Sequence, residues 1–269
     1  MMIGKLFAFF KRDFLEAASY KFAFISSVWG ILFSSATLFF IAKLIPGAHT
    51  SSLAPYGGDY FSFVIVGIAF AGLLGIFQGG LPAIIRQAQM TGTLEALLVT
   101  QTSIPTVLLG SSIYSFLFTS LRTIFHLVLA IVVFGMKLGS INWAGSLLVF
   151  FLTVVCFLSI GILSSSFIMV YKMGNPLSWI FGSVSGLVGG VFFPIVILPD
   201  WIRWLSRLLP ITYSLEGMRH SLLSSSSLTQ IFPNIIALAI FGAVLFPLSL
   251  FVFRLAVRKA KRDGTLTHY

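Results

Sequence analysis

Arg122 and His126 stand four residues apart in LFTSLRTIFHLVL, a spacing that puts both on one face of a helix. A membrane protease or lipid hydrolase would show paired polar residues of this kind at a span centre, yet no acid lies on the same turn as this pair. In an apolar run a charged side chain costs about 2.5–3.5 kcal/mol on insertion scales, and is usually functional or paired. Two roles stand open: contact with a substrate or lipid headgroup, or a buried Arg satisfied by backbone carbonyls or by a neighbouring span's acid or amide. Other chemistry is sparse. His49, His126, His220 and His268 are scattered without metal-ligand spacing. Cys156 is alone in an apolar run, which fits packing and excludes a disulfide within one chain. The phosphate loop G-x-x-x-x-G-K-[ST], the G-x-S-x-G elbow and H-E-x-x-H are all missing. No catalytic residue, metal or cofactor is therefore expected in this chain.

A second polar group lies in RQAQMTGTLEALLVT, residues 86–100, which holds Glu95, one of only seven acidic residues. Pro82 to Met90 is expected to extend the preceding helix, and Gly92 to end it. Thr93 suits the cap of a second helix, with Glu95 in its first turn at the positive end of the dipole. Leu94, Leu97 and Leu98 form an apolar face; Arg86, Gln89, Thr93 and Glu95 form a polar one. The alternative is an ordinary hydrated loop.

The elements that position these residues follow from the bulk numbers. The 269 residues are 58% hydrophobic and 9% charged, where soluble domains carry roughly 25% charged residues. Bilayer is the solvent this composition suits, and 24 Gly fit close helix packing in lipid. Crossing the hydrocarbon core takes ~20 apolar residues. Runs of that kind occupy about 22–42, 60–80, 105–134, 146–170, 177–198 and 233–253. Lipid cannot hydrate a bare backbone, so helices are expected, in an all-α polytopic membrane protein of six spans. The period-two polarity of a barrel is missing. The whole chain reads as a single transmembrane domain.

Six spans leave both termini on one side. If that side is the cytoplasm, the outer basic residues are Lys43, Lys137, Arg203, Arg207 and Arg219, and nearly all the others face inward. The net charge of +10 thus reads as membrane orientation; no basic stripe with interleaved aromatics points to nucleic acid. Residues 1–21 show an amphipathic face of Ile3, Leu6, Phe7, Phe10 and Phe14, the pattern of a helix lying in the inner interface. No cleavable leader is read there, because charges interrupt its apolar stretch. Residues 199–232 form an outer segment in which Trp201 and Trp204 suit the membrane–water boundary, and 254–269 form a basic tail. The prolines of VFFPIVILP predict that span five bends or dips rather than leaving cleanly. Within the spans, Gln78 fits either a helix–helix hydrogen bond or a polar lining.

This order of parts resembles the membrane subunit of type-2 ABC exporters. The resemblance rests on the interfacial helix, six spans, MTGTLEALLVT after span two, FFPIVILPDWIRWLSRLLPITYSLEGMRHSLL after span five, and the basic RKAKRDG. It implies that 82–100 is a coupling segment, with Arg86, Gln89, Thr93, Leu94 and Glu95 meeting a cytosolic ATP-binding cassette subunit. It implies outer re-entrant helices over about 192–220, shaped by Pro194, Pro199 and Pro210 and including Glu216. It implies two permeases, as a homodimer, with two ATPases that bind the ATP and Mg; this accounts for the missing phosphate loop. By position it makes Trp29, Gln78 and Trp179 candidates for the pathway, with packing or lipid-facing roles as alternatives. The expected cargo is a drug, a lipid or a lipid-linked glycan moved across the cytoplasmic membrane. A self-contained channel or secondary transporter is the competing reading; the lack of Asp or Glu at span centres counts against it.

Overall fold

The computed structural model describes residues 10–11, 14–15, 21–44, 52–92, 104–172, 176–224 and 226–262. Among these residues there is no strand. The helices are α1 (Lys21–Leu44), α2 (Tyr60–Gly75), α3 (Leu81–Met90), α4 (Ile104–Phe134), α5 (Trp143–Tyr171), α6 (Pro176–Val188), α7 (Asp200–Arg207), α8 (Pro210–Leu222) and α9 (Leu228–Arg262). A π-helical turn, Ile76–Gly80, joins α2 to α3 without a break. Short 3-10 turns occur at Ala54–Tyr56 and Ile195–Ile197.

Five helical stretches are long and apolar enough to cross a bilayer, and they include the continuous rod Tyr60–Met90. The stretch expected as span five differs. Its helix, α6, has 13 residues, about 20 Å at 1.5 Å per residue, short of the ~30 Å hydrocarbon core. The chain turns at Gly189–Gly190 and continues through Ile195–Ile197 into α7 and α8. Glycines and prolines stop a run whose apolar content alone would have carried it across.

Side-chain caps start two of the long helices. Asp59 accepts the Ser62 N–H at 2.9 Å, and Asn142 accepts the Gly145 N–H at 3.0 Å, each relieving an orphan donor of a first turn. Tyr60–Met90, α5 and α9 run side by side in the same direction. Gln89 reaches Met169 at one end, and the Cys156 thiol donates to the Leu238 carbonyl midway along α5 and α9. Gly161 lets α5 approach the π turn: a Cβ there would sit 2.0 Å from the Phe77 carbonyl oxygen. With no hydrophobic drive between helices in lipid, such close backbone contact supplies the packing. The core is correspondingly built on α2, α5 and α8, with Phe63, Ile65, Phe157 and Leu215 among its buried side chains. α1 packs on the edge, leaving Phe33 and Phe40 exposed.

Of the expected interfacial helix, Phe10–Lys11 and Phe14–Leu15 are described and helical. Phe10 and Phe14 set their rings 5.9 and 6.4 Å from Tyr114 of α4.

Candidate functional site

α3 is short and two-faced. Leu81, Ile85, Ala88 and Gln89 are buried, while Arg86 and Gln87 are exposed. Gln89 was expected on the polar face with Arg86; it is instead 4% exposed. The cause is register: Leu81, Ile85 and Gln89 are spaced by four and share one stripe. Its Nε2 donates to the Met169 carbonyl at 3.3 Å. Around this bond Leu81, Ile85 and Ala88 pack with Ile168 and Met169 of α5 and with Phe253, Ala256 and Ala260 of α9. α3 is therefore keyed to the ends of two long helices, with Arg86 left on the outside. It ends at Met90, followed by Gly92 at φ +67°. Thr93, Leu94 and Glu95 lie outside the described residues.

One turn further in, the π turn carries Gln78, which is buried. Pro82 has no N–H to give the carbonyl four residues back, which is that of Gln78. Ser178 Oγ of α6 donates to that carbonyl instead. The missing bond of one helix thus becomes a tie to another. Gly182 of α6 passes close to the Gln78 amide oxygen, from which a Cβ would be 3.9 Å away. Trp179 follows Ser178 in sequence and is 72% exposed. Gln78 and Trp179 are thus brought to one level of the molecule. Trp29 is also exposed, its ring tilted against Phe33 of α1 with centroids 5.9 Å apart.

The intramembrane pair separates in environment. His126 is buried and its Nε2 lies 2.9 Å from Ser35 Oγ, tying α4 to α1. Arg122 is exposed on the same helix, so the expected buried Arg satisfied by carbonyls is not this one. Its neighbour Thr123 points inward and donates to the Ala69 carbonyl at 3.3 Å.

The buried Arg is Arg219 on α8, 1% exposed. Nε donates to the Phe63 carbonyl at 3.1 Å, Nη1 to Gly190 at 2.7 Å and Nη2 to Val191 at 2.9 Å. Its guanidinium carbon lies 3.4 Å from the centroid of the Phe63 ring, a stacking that adds cation–π attraction. Gly67 makes room: a Cβ there would be 2.3 Å from the Val191 carbonyl oxygen and 2.4 Å from Nη2. Beside it, the Tyr56 hydroxyl donates to Glu216 at 3.5 Å. Burial pushes the Glu216 carboxyl above the ordinary carboxylate range, against the pull of Arg219; burial and Glu216 push the Tyr56 phenol up as well. Sequence reading placed Arg219 merely among the outer basic residues. A signal was present: Ile211, Leu215 and Arg219 are spaced by four, on the apolar stripe of α8.

Among the described residues no group of three His, Cys, Asp or Glu is arranged to hold a metal. What the arrangement does offer is mechanical. Polar ties link α3 to α5, the π turn to α6, and α8 to α2 and the turn after α6. A family model described as ABC-2 type transporter matches residues 4–223. No curated protein matches the chain.

Proposed function

The chain belongs to the ABC-2 type transporter family, and from that premise we propose that it is the permease of an ATP-driven exporter. It is a multi-pass membrane protein, the transport component of an ABC system whose ATPase is a separate subunit. Our reading adds that two copies of this chain pair with two cytosolic ATPase subunits, which hold the ATP and Mg. Both termini lie in the cytoplasm, as the distribution of Lys and Arg favours. The fifth of six crossings is made by α6 together with the turn that follows it. The cargo is amphipathic: a drug, a lipid or a lipid-linked glycan.

Residues 82–100 receive the ATPase's movement in this reading, with Arg86, Thr93, Leu94 and Glu95 toward the partner. The observation that carries it is the buried Gln89–Met169 bond within the apolar contact of α3, α5 and α9. A push on the exposed side of α3 is delivered to two long helices through packed atoms, and a packed contact transmits displacement. The π turn and its Ser178 tie extend the linkage to α6, beside Gln78 and Trp179. Force of this kind switches a pathway only if the ATPase contacts differ between two states of the permease.

The test is co-purification from the native membrane. The tagged chain is expected to bring down an ATPase, and Glu95→Arg to weaken that association by about tenfold or more, as reversal of an interface charge does. Membrane insertion should be unchanged. Transport that proceeds without ATP, or a Glu95→Arg variant that couples as the wild type does, would overturn the reading.

A further inference from the structure

At the end of the molecule where α9 becomes basic, α5, α6 and α9 surround a cleft of about 410 Å3. Sites for small molecules span ~300–1,000 Å3. Its walls are largely carbon, from Ile160, Phe167, Phe181 and Val252 among others. Two features break that pattern. Lys259 lines the cleft, is exposed, and has no acidic partner among the described residues. Ser164 also lines it and is fully buried. Its neighbours Ser159, Ser165 and Ser166 return their hydroxyls to carbonyls one turn back at 2.7, 2.8 and 2.7 Å. The Ser164 hydroxyl has no partner among the described residues, a condition rare for a buried polar group.

A cation at the edge and an apolar trough beyond it describe a ligand with an anionic head and a hydrocarbon tail. Val252 to Lys259 on α9 is seven residues, about 10 Å of helix rise, so head and tail contacts are spaced along the direction in which a lipid lies. We infer that this cleft binds one anionic phospholipid, its phosphate on Lys259 and one acyl chain between α5, α6 and α9. Basic pockets between membrane helices favour such headgroups. This inference needs only the membrane embedding of the chain, and stands apart from export and from the ATPase.

Native mass spectrometry of the full-length protein in mild detergent reads it directly. The protein is supplied with phosphatidylglycerol or phosphatidylcholine of identical acyl chains. Phosphatidylglycerol should be retained in preference by about fivefold, the ratio one basic residue near a membrane surface supplies. Lys259→Gln should abolish the preference and Lys259→Glu reverse it. Arg254→Glu, the same charge change on α9 but outside the cleft, should keep it. Val252→Trp, which fills the trough, should lower retention of both lipids. Millimolar inorganic phosphate should not displace the lipid, because the tail holds it. Equal retention of the two lipids, equal effects of Lys259→Glu and Arg254→Glu, or displacement by phosphate alone would each overturn the assignment.

Discussion

Arg219 carries its charge into the interior and is met by three carbonyls and an aromatic face rather than by a salt bridge. Replacing it with Met would keep the volume but leave the Gly190 and Val191 oxygens short of a donor. An unsatisfied buried acceptor costs about 1–3 kcal/mol, so Arg219→Met should lower unfolding stability in detergent by about 3 kcal/mol or more. Arg219→Lys, which lacks the planar fork, should recover only part of that loss. Glu216 sets a pH dependence. Burial raises its folded pKa, so the folded state holds its proton at a pH where the unfolded chain, near 4.3, has released it. Stability from this group is complete below the unfolded value and is lost as pH rises toward the folded one. Wild type should therefore fall in melting temperature relative to Glu216→Gln as pH is raised through that window. A pH-independent difference would count against it. The register of Arg219 was legible in the sequence, but its acceptors were not: they lie 28, 29 and 156 residues away and are brought to it by a turn and a second helix.

The long apolar helices were readable because length and hydropathy alone define them. For α6 the prolines of VFFPIVILP predicted the bend but not its place: the same hydropathy continues past Val188, while Gly189 and Gly190 turn the backbone before Pro194 is reached. The tie at the π turn was equally hidden: Pro82, which leaves the Gln78 carbonyl without its helical donor, is local, but the compensating Ser178 is 100 residues away. A double-mutant cycle tests that link. In Pro82→Ala the Gln78 carbonyl regains a helical donor, so removing the serine hydroxyl should cost less there than in wild type. Side-chain hydrogen bonds in membranes average about 0.6 kcal/mol, and Ser178→Ala should show roughly that loss alone and nearly none with Pro82→Ala. Additive losses would mean that the two positions do not share the carbonyl. Gln89 shows the opposite limit: its spacing by four from Leu81 and Ile85 was there to be counted, yet its polarity set it on the face of Arg86, and the structure buries it.

The single chain leaves large apolar side chains uncovered on several helices, including Trp29, Phe33 and Phe40 on α1 and Trp179 on α6. Lipid accounts for part of this surface, and the paired arrangement proposed above for the rest. The lone native cysteine, Cys156, is buried, so it provides a silent background for chemistry at introduced thiols. If two copies meet along α1 and α6, Trp179→Cys should form a disulfide-linked dimer in membranes under mild oxidation, visible on a non-reducing gel. Absence of dimer from both Trp179→Cys and Trp29→Cys would argue for a different contact. That the chain is a membrane transporter subunit was legible from composition and the order of its parts; what it meets was not, because partner surfaces leave no periodic trace in one sequence.

The clasp at Arg219 also bears on how the protein is made. A ribosome releases Phe63, Gly190 and Val191 well before it releases the side chain that joins them. Until residue 219 emerges, the bend after α6 has no guanidinium to fasten it to α2, and the second helix waits in the bilayer for the eighth. This half of the molecule is thereby fastened only after residue 219 has been made, and a nascent chain arrested short of it lacks the clasp.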